Sequence, residues 1–279
     1  MKKIPVSVII EAIEKLCIQA CYNLGDDVKK LLIEAQKKEE SPFGAQILGQ
    51  ILDNIDVSKE EQLPLCQDTG MAVVFLEIGQ DVHISGGNLT EAVNEGVRRG
   101  YQKGYLRKSV LSPLKRVNTG DNTPAIIHTE VVEGGQLKIT VAPKGFGSEN
   151  MSRLVMLKPA DGIEGVKKFV LDTVTKAGAN PCPPIILGIG IGGTMEKAAY
   201  IAKKALLREA GKPNSDQELA DLEQELLQKI NAAGIGPQGL GGRTTALAVH
   251  IETFPTHLAG LPVAINVQCH AARHAEAIL

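Results

Sequence analysis

The chain has 279 residues, 43% apolar and 3% aromatic with no Trp, and a formal net charge of −2 at pH 7. That length allows one or two domains. The charge balance offers no basic footprint for nucleic acid, and no apolar run reaches the ~20 residues that span a membrane. Five widely spread cysteines, an odd number, do not form a secreted disulfide framework. The apolar start Ile4–Ile10 after Lys2-Lys3 is cut short by Glu11, Glu14 and Lys15, so it is not a signal peptide. A cytoplasmic location is expected.

Val6, Ile9, Ile10, Ile13, Leu16, Cys17 and Ala20 recur at helical spacing and predict a first helix. Cys17 and Cys21 lie four apart on or beside that stripe; with no third ligand near, they read as core packing. A second helix is expected over Asp26–Lys38. Ser41-Pro42, an N-cap followed by proline, opens a third that runs to about Ile55. Then comes Leu63-Pro64-Leu65-Cys66-Gln67-Asp68-Thr69-Gly70, with a thiol, an amide, a carboxylate and a hydroxyl on consecutive residues between two structure breakers. The apolar run Met71–Leu76 that follows predicts a buried strand.

Ser85-Gly86-Gly87-Asn88 is a turn, and Thr90–Tyr101 reads as a helix. The polar loop Arg107–Asn122 is either a solvated loop or an anion-binding one, because Arg107, Lys115 and Arg116 fall near short amide and hydroxyl donors. Pro124–Val132 and Gln136–Ala142, separated by Glu133-Gly134-Gly135, predict a β-hairpin carrying His128 as a structural residue. Pro143–Asn150 contains two glycines and Lys144; it is an ordinary turn or a place where backbone approaches a ligand.

Asp161 is the expected N-cap of a helix to Ala177. Gly178-Ala179-Asn180-Pro181-Cys182-Pro183-Pro184 holds a cysteine in a loop stiffened by three prolines. The strand Ile185–Ile191 contains a literal G-x-G-x-x-G over Gly188–Gly193. No acidic residue stands at a strand end about 20 residues on, so a dinucleotide fingerprint is incomplete. Close packing against a cofactor suits those glycines better. Helices follow over Thr194–Ala210 and Ser215–Ile230, the latter opened by a Ser215-x-x-Glu218 capping box. After the glycine-rich Gly234–Arg243 come strands Thr244–Glu252 and Leu261–Val267, joined through Phe254-Pro255-Thr256-His257. The last strand delivers Gln268-Cys269-His270-Ala271-Ala272-Arg273-His274. No repeat or linker divides the chain, so a single α+β domain over 1–279 is expected. Its sheets would be covered by helices, with a helical start and ligand-bearing loops at strand ends.

Cys66, Cys182 and Cys269 share non-helical surroundings beside strand ends, unlike Cys17 and Cys21. Their wide spacing matches no local zinc motif. Three thiolates suit a [4Fe–4S] cluster whose fourth, labile iron lacks a protein ligand. Such an iron is a Lewis acid for a hydroxyl and a carboxylate.

Cys66-Gln67-Asp68-Thr69-Gly70, Gly147-Ser148-Glu149-Asn150, Pro181-Cys182-Pro183-Pro184, Gly188–Gly193 and Gln268-Cys269-His270-Ala271 resemble, in order, the motifs of class I iron–sulfur fumarate hydratases. The related L-tartrate dehydratases share them, and the chain is most similar to the α subunit of the two-subunit form. The resemblance implies a hydro-lyase with Cys66, Cys182 and Cys269 as cluster ligands. Gln67, Asp68, Arg107 and Gly147 would contact a dicarboxylate, with Asp68 and His257 as catalytic residues. It implies fumarate hydration to L-malate first and tartrate dehydration as the alternative. Single-chain relatives carry a C-terminal domain that this sequence lacks, so a β subunit is implied, in an α2β2 or similar oligomer, with no nucleic acid or membrane partner. Readings outside the family are a metal-stabilised binding protein without chemistry and an NAD-dependent oxidoreductase using Gly188–Gly193.

Overall fold

A computed structural model describes residues 2–279. In chain order it contains β1 (Lys2–Pro5), α1 (Val6–Tyr22), α2 (Asp26–Lys38), α3 (Pro42–Glu61), β2 (Met71–Gly79), β3 (Val82–Ser85), α4 (Leu89–Lys103), β4 (Ile126–Val132) and β5 (Leu137–Lys144). There follow α5 (Phe146–Glu149), β6 (Arg153–Leu157), α6 (Gly162–Ala177), β7 (Ile185–Gly192), α7 (Met195–Ala205), α8 (Gln217–Ala232), β8 (Ala246–Phe254), β9 (Leu261–Gln268) and β10 (Ala275–Ile278). The fold is α+β, as expected. The chain divides into two compact units where the sequence suggested one domain. Unit 1 is Met1–Leu24, Ile55–Gly145 and Arg273–Leu279; unit 2 is Gly25–Asn54 and Phe146–Ala272. No helix among the described residues is long and apolar enough to cross a membrane.

Unit 1 is built on a sheet of order β10-β5-β2-β4, with a separate parallel pair β1-β3. The expected hairpin between β4 and β5 does not form. β2 occupies the slot between them, parallel to β4 and antiparallel to β5. Met71–Gly79 is buried along most of its length, and an apolar strand of that kind is satisfied only with a neighbour on each side. The Gly134 turn instead arches over the end of β2, where a Cβ on Gly79 would lie 2.3 Å from the Gly134 carbonyl oxygen. His128 stacks on Phe75, its register partner, with ring centroids 5.1 Å apart, and is structural as read. α1 lies on α4 where Gly96 and Gly100 present no side chain: Cβ atoms there would meet Ile13 and Cys17 at 2.7 Å. Cys17 and Cys21 are fully buried in this core.

Unit 2 is a sheet of order β6-β9-β7-β8. β7 shows why its sequence alternates. Ile185, Leu187 and Ile189 pack with α6 and α8 in one core. Gly188 and Gly190 point the other way, where a Cβ would fall 2.0 Å from the Ala202 carbonyl oxygen and 2.1 Å from that of Ala198. The glycines thus let α7 lie directly on the strand. The expectation of a cofactor is corrected at Gly188 and Gly190, whose close neighbours are helix backbone; Gly192 lies against the Phe254 backbone of β8.

Two caps also differ from expectation. Asp216, not Ser215, caps α8, its Oδ1 accepting from Glu218 N–H at 2.9 Å and Leu219 N–H at 3.3 Å. A carboxylate serves two helix-end donors better than a hydroxyl does. Asp161 makes no side-chain hydrogen bond to α6; it accepts from Lys158 N–H at 2.8 Å and closes the turn before the helix.

The outer edge of β8 is covered by side chains. Glu223 accepts from Ile251 N–H at 2.7 Å and is ion-paired with Arg208. Beside it His250 is 2% exposed, and its Nδ1–H donates to the Ala205 carbonyl at 3.1 Å. Burial first, then the Arg208 guanidinium, pull its pKa from 6.5 down to about 4. The unfolded chain therefore binds this proton more readily. The stabilising contribution of the neutral ring is whole above about pH 6.5 and is lost as pH falls toward 4, about 3 kcal/mol in all. Urea unfolding across that window is expected to show the slope, and His250→Asn should flatten it by about one proton. An unchanged slope in the variant would assign the pH dependence elsewhere.

Candidate active site

In unit 1 the stretch Leu63–Gly70 is tied down at nearly every residue. Leu65 N–H donates to the Cys21 carbonyl at 3.0 Å. Asp68 N–H points at Cys66 Sγ, 3.4 Å away, and Asp68 Oδ1 accepts from Gly70 N–H at 3.1 Å. Arg273, 4% exposed and five residues after the last motif begins, donates from Nη2 to the Asp68 carbonyl. The buried Tyr101 hydroxyl reaches the Thr69 carbonyl at 2.8 Å and the Gly70 carbonyl at 3.1 Å. Gly70 has φ +70, and a Cβ on it would lie 2.4 Å from the Lys144 carbonyl carbon. Only glycine fits a turn pressed this closely on β5. Asp68 is half-buried with its carboxylate against Gly145, while Gln67 is exposed.

The loop from Arg107 to Asn122 is bound to the same stretch. Thr69 Oγ1 donates to the Arg107 carbonyl at 3.1 Å, and Asn122 Nδ2 donates to the Gly70 carbonyl at 3.1 Å. The Arg107 side chain is exposed. Cys66, Gln67, Asp68 and Arg107 are therefore gathered in one place. The two cysteines of α1 stand apart in character: burial raises the Cys21 thiol to about 11, so neither it nor Cys17 carries thiolate at neutral pH.

In unit 2 the Cys182 loop, α5 and the end of β9 converge. β9 runs antiparallel to β7 with Ile186 opposite Gln268, so Cys182 before β7 and Cys269 after β9 stand at one end of the sheet. His270 Nδ1 lies 3.0 Å from the Cys182 carbonyl, and Gln238 Nε2 lies 3.2 Å from the same nitrogen. Gln238 also donates to the Pro183 carbonyl from both its backbone and its side chain, at 2.8 Å each. Cys182 is exposed with φ +56, a left-handed conformation costing a residue with a Cβ about 1 kcal/mol or more. Gly147 belongs here too: a Cβ on it would sit 3.5 Å from the Asn180 carbonyl oxygen. Ser148 donates to Gln268 Oε1 at 3.3 Å, and Glu149 is held by Asn266 and Lys203.

His257 is placed differently. It follows β8, and β8 runs parallel to β7 with Phe254 opposite Gly192. That is the far end of the sheet from Cys182 and Cys269, eight residues of β7 away, or roughly 25 Å at about 3.3 Å per residue. Its exposed ring accepts from Ala259 N–H at 3.2 Å.

Among the described residues no three Cys, His, Asp or Glu side chains are grouped so as to hold a metal ion. Within each unit the donors nonetheless have the chemistry of cluster ligands: loop thiols at strand ends, with a backbone N–H aimed at Cys66 Sγ. Residues 10–278 match the family model described as fumarate hydratase (Fumerase).

The chain belongs to the fumarate hydratase family.

Two relatives carry names that make them subunits. A Methanocaldococcus jannaschii protein named "Putative L(+)-tartrate dehydratase subunit alpha" is 48% identical over 96% of each chain. The "L(+)-tartrate dehydratase subunit alpha" of Escherichia coli strain UTI89 is 32% identical over 98% of this chain and 91% of its own. Family membership makes this chain a hydro-lyase-type protein. Tyr101 and Gln238 were not singled out from sequence, and Asn122, His270 and Arg273 were read only as members of their segments, with no role of their own. They hold the motif backbones in place, and single hydrogen bonds to a carbonyl leave no signature in residue order.

Proposed function

We propose that the chain is the α-type subunit of an iron–sulfur hydro-lyase acting on a small hydroxy-dicarboxylate, with L(+)-tartrate as the substrate. The observation that carries the reading is the gathering of Cys66, Gln67, Asp68 and Arg107 in unit 1, together with Cys182, Cys269 and Gly147 at one sheet end of unit 2. Tartrate takes precedence over fumarate, the first expectation, because the relatives at 48% and 32% identity carry the tartrate name. Fumarate remains the second reading, favoured by the description of the family model. The relatives' designation as subunit alpha supports a β-type partner for this chain.

In this reading Cys66, Cys182 and Cys269 hold a [4Fe–4S] cluster with one labile iron. When bound, the cluster supplies a Lewis acid for the substrate's hydroxyl and carboxylate. Gln67 and Gly147 orient the substrate, and Arg107 pairs with a carboxylate through its planar fork. Asp68 gives a proton to the departing hydroxyl, which leaves as water. His257 was read as a second proton carrier. Its place at the far end of the sheet from Cys182 and Cys269 leaves that duty to Asp68 in this proposal. Kinetics of the chain with a β-type subunit on L(+)-tartrate, L-malate and fumarate test the substrate. A kcat/KM for tartrate below that for fumarate would reverse the order of the two readings.

Arg107→Lys keeps the charge and loses the fork. A hydrogen bond to a charged group contributes about 1.5–3 kcal/mol, so kcat/KM should fall roughly 10- to 100-fold with iron content unchanged. Unaltered kinetics would leave Arg107 a solvated loop residue.

A further inference from the structure

The loop between α4 and β4 combines two properties that rarely occur together: it is internally rigid, and its tip is apolar. Asn122 Oδ1 accepts from Ser109 N–H at 2.6 Å and Val110 N–H at 3.2 Å, and Asn118 Nδ2 donates to the Lys108 carbonyl at 2.9 Å. Across the loop Ser112 N–H donates to the Val117 carbonyl and Arg116 N–H to the Ser112 carbonyl, each at 2.9 Å. Leu111 and Asn118 form an antiparallel bridge. On this frame Leu114 is 94% exposed and Val117 64%. A mobile loop can carry exposed apolar residues at little cost, but one held in a single conformation presents them to water continuously, which marks an interaction surface. Exposed Lys108, Lys115 and Arg116 flank the tip. The one acid of the segment, Asp121, is already paired with Arg98 at 2.9 Å.

We infer that this loop is the docking element for the β-type subunit, with Leu114 and Val117 as anchors. The inference rests on the two-chain reading above. The occupant follows from continuity with the site. The base of the loop is hydrogen-bonded to Thr69 and Gly70, so a chain seated on the loop rests on the element that carries Arg107 and is anchored to the Cys66 stretch. A subunit that completes a catalytic site must arrive there.

The test uses the full chain co-expressed with its β-type subunit. Leu114→Asp with Val117→Asp should weaken the complex by roughly tenfold or more in Kd. Val131→Asp, at a 70% exposed position of β4 in the same unit, should leave it intact. Circular dichroism confirms folding of both variants. Trypsin should cut after Lys115 and Arg116 in the isolated chain and do so far more slowly in the complex. Loss of association in both variants or in neither, or equal cleavage with and without the partner, would overturn the docking role while leaving the two-chain reading standing. If the loop substitutions instead dissolve a self-association of this chain, the occupant is a second copy and the inference is wrong. If the unsubstituted chain binds no β-type subunit and is fully active alone, both readings fall.

Discussion

Isolated from a β-type subunit, the chain is expected to turn over tartrate at least about 10³-fold more slowly than the two-chain complex. Dehydration breaks a C–O bond and a C–H bond on adjacent carbons. The hydroxyl leaves as water after taking a proton, and the C–H electron pair forms the new double bond once a base removes the other proton. The resulting enol rearranges to a 2-oxo dicarboxylate. In the proposed arrangement unit 1 serves the first event, with Asp68 half-buried against Gly145 and Arg107 on the adjoining loop. No side chain gathered around the Cys66 stretch or the Cys182 loop is assigned the second event. General base catalysis alone contributes typically about 10²–10⁴-fold, and positioning by further carboxylate clamps adds to it. Titrating the chain with purified β-type subunit should raise the rate to a plateau at a fixed stoichiometry. Full activity of the chain alone would place the base here and end the split-site reading.

Cys66→Ser, Cys182→Ser and Cys269→Ser are each expected to remove iron and nearly all activity, while Cys17→Ala and Cys21→Ala keep both. The distinction is physical. Cys17 and Cys21 are fully buried among apolar neighbours, and burial lifts both thiols above their ordinary pKa. Removing either thiol costs packing, about 1 kcal/mol or somewhat more. The other three stand on loops, half-buried or exposed, and a serine hydroxyl is a poor replacement for a thiolate toward iron. Iron and sulfide per chain, with absorbance near ~400 nm for sulfur-to-iron charge transfer, measure the outcome. Anaerobically prepared protein should lose one iron and its activity in air and regain both with iron and reductant. Equal iron content in all five variants, or one zinc and no sulfide, would refute the ligand set.

Much of this chain was legible in residue order, because the relevant forces act over a few residues. The apolar spacing of Val6–Ala20 and the charged, amphipathic Asp26–Lys38 place α1 and α2 within two residues of their observed ends. Serine before Pro42 caps α3 as expected, its Oγ accepting from Gly44 N–H at 3.1 Å. The exposed setting of Cys182 followed from its prolines, and the core role of Cys17 and Cys21 from the helical stripe. The family motifs were also readable, since each is a short run of consecutive residues.

What the tertiary structure decided concerns partners distant in the chain. Backbone hydrogen bonding does not depend on sequence separation, so nothing local could announce that β2 would enter between β4 and β5, or that β10 would return from the C-terminus to pair with β5. The glycine alternation in β7 was visible, but not that a helix backbone fills the space its missing side chains leave. Strand direction alone separates His257 from Cys182 and Cys269: β8 runs with β7 and β9 against it, and the choice between parallel and antiparallel pairing is made by the packed sheet as a whole.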